Sequence, residues 1–214
     1  MWCNGAFAAT LMEAKKALPE GGVFNNFLVR KDLVMSQVRE DFDFILKISQ
    51  DFFNQEEIVE KLKAFQNLNP KIKGWEIWFQ VEFALFLHQH ALVSDVEREK
   101  RFKVDQRKSK EKITCAIDFF IRQKHKRTPI PLELKQDVTA ASCIRHMLKD
   151  INKFNKIRCS DVLTNRSLFC LGVHETVSDD HITRLIHENK FFEFDPSCVK
   201  TIEIKGTGYS FTIL

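Results

Sequence analysis

The chain has 214 residues, 44% hydrophobic and 29% charged, a balance that suits a globular fold with a sizeable core and excludes a disordered or low-complexity polymer. The net charge of +4 permits a polyanionic partner without requiring one. Cysteines at 3, 115, 143, 159, 170 and 198 show no C-x-x-C spacing, which excludes a zinc-ribbon site and points to free thiols in a reducing compartment.

The N-terminal "MWCNGAFAATLMEAKK" has no basic leader before its short apolar stretch and meets Glu13 early. It makes a poor signal peptide, and a cytoplasmic protein is expected. Pro19-Glu20-Gly21-Gly22 breaks the first helical stretch. Residues 31–53 carry Leu33, Val34, Val38, Phe42, Ile45, Leu46 and Ile48 at helical spacing. "QEEIVEKLKAFQ", 55–66, is a second amphipathic helix with acids in its first turn, where the helix dipole favours them. Residues 1–68 therefore read as a helical N-terminal extension, a surface for a homodimer or a protein partner, and 69–214 as an α/β domain.

The most apolar stretch, "WEIWFQVEFALFLHQHALV", contains Glu76, Gln80 and Glu82 and is too polar for a membrane span. It predicts a helix from about 72 to 93. "DVEREKRFKVDQ" alternates as a strand. "KITCAIDFFIRQK" is a second strand, with Cys115, Ile117, Phe119 and Ile121 on one face and Asp118 on the other. "IPLELK" is a third. A helix over 138–155 turns Ile144, Met147, Leu148 and Ile151 inward. "SLFCLGVHE" is a fourth strand, "SDDHITRLIHEN" a Ser-capped helix, and "KTIEIKGTGYSFTIL" a hairpin around Gly206 to Gly208. Short turns make the first three strands an antiparallel meander, and the next helix allows a crossover to a parallel fourth.

Within "IPLELK" the period of two puts Glu133 and Lys135 on one face and Leu132 and Leu134 on the other. Asp118 lies in the middle of the preceding oily strand, where a hairpin brings it beside Glu133. Two close carboxylates repel and resist ionising together; a divalent cation between them removes the conflict, and their oxygens suit Mg²⁺ or Mn²⁺. Lys135, one step along the same face, would hold a water or stabilise a charged phosphate.

An acid on the second core strand, E-x-K on the third, and the order helix, three strands, helix, strand resemble the PD-(D/E)xK nuclease superfamily. The resemblance covers roughly half the chain; the residue before the first acid, often Pro in that family, is Ile117 here. It implies a restriction-endonuclease-like α-β-β-β-α-β core with a mixed sheet, behind the all-helical N-terminal segment. It also implies Mg²⁺-dependent (or Mn²⁺-dependent) phosphodiester hydrolysis, with DNA ahead of RNA as substrate, in bacterial or phage conflict: restriction, defence or a toxin. Asp118, Glu133 and Lys135 would be catalytic, and an acid from the first core helix would join the metal ligands. Glu76 and Glu82 are the candidates; Glu82, on an aromatic face with Trp75, Trp78, Phe79 and Phe86, is the one expected to do so.

Gln136 stands where relatives place a polar residue that orders water. Lys149 and Lys153 would contact phosphate, while Asp150 reads as part of a solvated face. The basic clusters "RKSKEK" at 107–112 and "RQKHKR" at 122–127 read as phosphate contacts in turns beside the site. The competing reading is a non-catalytic nucleic-acid- or protein-binding module on the same fold, of regulator or immunity type.

Overall fold

The computed structural model describes residues 23–68, 74–103, 114–157, 166–189 and 195–214, with side chains from residue 35 onward. The Pro-Gly break at 19–22 and the basic cluster at 107–112 lie outside the described residues. Helices α1 (Val23–Phe53) and α2 (Glu56–Asn67) precede α3 (Glu76–Gln89). α3 ends before the expected 93 because the chain turns there: the His90 N–H donates to the Leu87 carbonyl and the Val93 N–H to the His90 carbonyl. Val93 then opens a strand paired with Gln123.

Strands β1 (Val93–Lys103), β2 (Thr114–Gln123) and β3 (Ile130–Gln136) form an antiparallel meander. Helix α4 (Ala140–Phe154) crosses over to β4 (Phe169–Glu175), which pairs parallel to β3. After α5 (Asp179–His187), β5 (Lys200–Ile204) and β6 (Tyr209–Ile213) close the chain as a hairpin, with Gly206 and Gly208 at φ of 75° and 72° in its turn. β6 inserts beside β4, so the order across the six-stranded mixed sheet is β1-β2-β3-β4-β6-β5. The two inner helix starts are capped as their sequences require: Thr139 accepts from the Ser142 N–H and Ser178 from the His181 N–H.

The sheet is covered on both faces. On one, Phe42, Ile45 and Phe52 of α1, Leu62 of α2 and Phe79 and Phe83 of α3 share a core with Leu132, Leu134 and Phe211 of the sheet. Many of the chain's 20 phenylalanines are spent here, in edge and tilted contacts such as Phe52–Phe83 at 5.1 Å. The boundary expected at 68/69 thus falls between helices that pack in one core. On the other face, Cys143, Ile144, Met147 and Leu148 of α4 and Ile182 and Ile186 of α5 pack on Ile117, Phe120 and Cys170. Among the described residues no helix is long and apolar enough to cross a membrane.

The expected alternation along β2 fails at its centre. Cys115 and Ile117 belong to the α4 side, but Phe119 and Ile121 belong to the α1–α3 side. The switch coincides with an irregularity in β1. Pairs Arg98↔Phe119 and Lys100↔Ile117 are formed on either side, while Glu99 between them, opposite Asp118, takes φ of 52°. A left-handed residue in a strand inverts the pleat locally, as a bulge does. Asp118 sits at this inversion.

Candidate active site

β2 and β3 part where Asp118 and Glu133 meet. Phe119↔Leu132 is the last pair of that ladder, and the Leu134 N–H donates instead to Asp118 Oδ2 at 2.8 Å. The Asp118 carboxylate thus satisfies a backbone donor that strand separation would leave unpaired. Leu132 and Leu134 point into the α1–α3 core, so Glu133 and Lys135 face α4.

Glu133 is buried and hydrogen-bonded to Asp118. Burial first, and then the hydrogen bond and charge of Asp118, push its carboxyl up to about 9. One of two crowded carboxyls is therefore neutral at pH 7. The Lys135 ammonium lies between two other acids, 3.1 Å from Asp150 Oδ2 on α4 and 3.7 Å from Glu76 Oε1 at the start of α3. Burial disfavours its charge, but the surrounding carboxylates, Asp150 foremost, outweigh burial and raise its pKa.

Glu76 also accepts the Gln136 backbone N–H at 3.2 Å, so Gln136 enters the site through its main chain. Asp150 uses its second oxygen on Lys153, at 3.2 Å. A shallow depression beside the cluster is lined by Cys115, Ile117, Glu133, Asp150, Lys153 and Leu168.

Asp118, Glu133 and Lys135 are thus brought together, and Glu82 is not. Its Oε1 accepts from Lys61 of α2 at 2.7 Å and from the Trp78 indole N–H at 3.0 Å. Glu82 does lie on an aromatic face, but α2 covers that face and Lys61 supplies the counter-charge. Six residues back, on another side of the helix, Glu76 reaches Lys135.

Asp150 is the residue that sequence reasoning placed in solvent; its side chain is only 14% exposed. The signal was its position between Met147 and Ile151, at the edge of the buried stripe. The 122–127 cluster is also displaced from expectation. Asp118 lies six residues from Lys124, roughly 20 Å of extended chain, and the ammonium and guanidinium of Lys126 and Arg122 are taken by Glu40 and Asp95. On α4, exposed Arg145 and Lys149 continue the row of half-exposed Lys153 at intervals of four residues.

Gly172 makes this arrangement reachable. It is the β4 partner of Lys135, and a Cβ there would stand 2.5 Å from Met147 Sδ and 2.6 Å from Cys143 Sγ. α4 therefore lies directly on the strand, which brings Asp150 within reach of Lys135. Gly172→Ala should force α4 outward and destabilise the protein by about 1–3 kcal/mol, the usual cost of overpacking a core. Denaturant melts check it; an unchanged midpoint would mean that Met147 and Cys143 rotate away freely.

Among the described residues no three His, Cys, Asp or Glu side chains converge as a preformed metal cage. The donor set on offer is the Asp118–Glu133 pair. Hard oxygen donors, crowded so that one stays protonated, fit a divalent cation such as Mg²⁺ or Mn²⁺, whose charge would let both ionise. Comparison with protein-family models, curated proteins and solved structures finds no match to this chain.

Proposed function

We propose that the protein is a metal-dependent nuclease that hydrolyses phosphodiester bonds, with a restriction-endonuclease-like core. The observation that carries this reading is the meeting of Asp118 and Glu133 at the parting of β2 and β3, with Lys135 two residues on and facing the same way. Asp118 and Glu133 would hold Mg²⁺ or Mn²⁺, which when bound supplies charge for the phosphate and an acidified water.

Each side chain then has a separate task. Asp118, fixed by the Leu134 N–H, presents an oxygen in a set direction. Glu133, once its proton is released to solvent, would offer the second oxygen to the cation. Lys135, held by Asp150 and Glu76, keeps a compact positive charge beside the pair, where charge grows on the phosphate as the bond to the leaving oxygen breaks. The row Arg145, Lys149 and Lys153 on α4 offers positive charge to a phosphate backbone leading to the cluster. DNA is taken ahead of RNA.

The expected result is cleavage of plasmid DNA with Mg²⁺ or Mn²⁺ and none with EDTA; an RNA substrate tested alongside sets the preference. Purified protein that binds either polymer regardless of divalent ions, and cleaves neither, would instead be the non-catalytic module.

A further inference from the structure

Asp150 has no place in the motif that singled out Asp118, Glu133 and Lys135, yet among the described residues it makes the closest ion pair with Lys135. Its two oxygens bridge two ammonium groups, Lys135 at 3.1 Å and Lys153 at 3.2 Å. Lys135 shares a strand face with Glu133, two residues away, and the Asp118–Glu133 pair attracts any nearby positive charge. An untethered ammonium on a flexible four-carbon stem would settle against that pair, where it would compete with a cation. Asp150 from α4 and Glu76 from α3 instead draw it aside, and the close seat of α4 on Gly172 holds Asp150 in range.

Resting on the nuclease reading only for the identity of the cation site, we infer that Asp150 is a positioning residue that holds the Lys135 ammonium off the Asp118–Glu133 carboxylates and so keeps them open to a divalent cation. Glu76, farther away at 3.7 Å and already accepting the Gln136 N–H, does not do this alone.

Mn²⁺ binding, followed by electron paramagnetic resonance without nucleic acid, tests the inference in the full chain. Asp150→Asn should weaken Mn²⁺ binding about 10- to 100-fold, the scale of a lost outer-shell partner. Adding Lys135→Ala to it should restore wild-type affinity, because the intruding ammonium is gone. Adding Lys153→Ala restores the same net charge but leaves Lys135 in place, and should not rescue.

Equal rescue by both lysine substitutions would reduce the effect to net charge and overturn the inference, as would unchanged affinity in Asp150→Asn. Asp150→Glu, which keeps the charge on a longer stem, should fall between wild type and Asp150→Asn, and replaces Asp150→Asn in the same cycle should the latter fail to fold. A wild type that takes up no Mn²⁺ overturns the inference and the metal site together. A wild type that takes up Mn²⁺ and shows this pattern but cleaves neither polymer overturns the nuclease reading alone.

Discussion

On the nuclease reading, Glu133→Gln should abolish cleavage and, without divalent ions, should leave the protein more stable at pH 8 than the wild type. The loss of cleavage follows from removing one of two oxygen donors. The gain in stability follows from proton linkage. In the unfolded chain Glu133 ionises near its ordinary value of 4.5, whereas in the folded protein its carboxyl is pushed up to about 9. Between those values the folded state keeps a proton that the unfolded state releases, so raising the pH favours unfolding. The contribution is full below 4.5 and is lost as pH rises towards 9.

Glutamine carries no such penalty and still offers Asp118 a donor. Thermal melts in EDTA at pH 5 and pH 8 should therefore show the two proteins diverging, with the wild type falling behind at high pH. The wild type alone should recover at pH 8 when Mg²⁺ is added, because a bound cation favours ionised Glu133. Parallel curves for the two proteins would mean that Glu133 is ionised in the folded protein and that the carboxylates are not crowded.

The architecture was legible because each element carries a local signal. β3 alternates Leu132 and Leu134 with Glu133 and Lys135, and these do face opposite sides of the sheet. The stripe of Ile144, Met147, Leu148 and Ile151 announces α4, and its length allows the parallel crossover that is observed. The site was legible only as far as strand periodicity reaches. The face switch at Asp118 coincides with a left-handed Glu99 in the neighbouring strand, and glutamate has no preference that would reveal it.

Choosing between Glu76 and Glu82 required knowing which side of α3 another helix covers, a tertiary fact. The expectation that an acid on an aromatic face needs a partner was sound, but the partner proved to be Lys61. Asp150 was missed for a related reason. An acid beside a lysine three residues on, Lys153, looks like a surface pair, and only the close approach of α4 at Gly172 turns its other oxygen towards Lys135.

Lys135→Ala should lose turnover far more than affinity. Affinity for a phosphate backbone is shared among many charges, and Arg145, Lys149 and Lys153 remain. Stabilising charge on the reacting phosphate is a local task. Deleting one preorganised contact of that kind raises a barrier by roughly 3–4 kcal/mol, about 10²- to 10³-fold in rate. Lys135→Arg should not rescue, because the planar guanidinium cannot take the place of a compact ammonium wedged between Asp150 and Glu76.

The substitution also leaves those two acids facing each other without their cation, so Lys135→Ala should melt lower than the wild type. Kinetics are therefore compared well below its transition. Single-turnover cleavage and an anisotropy titration of the same DNA on the same variant separate the two effects. A variant that binds and cleaves like the wild type, yet melts lower, would make Lys135 a structural counter-ion for Asp150 and Glu76 and remove it from the chemistry.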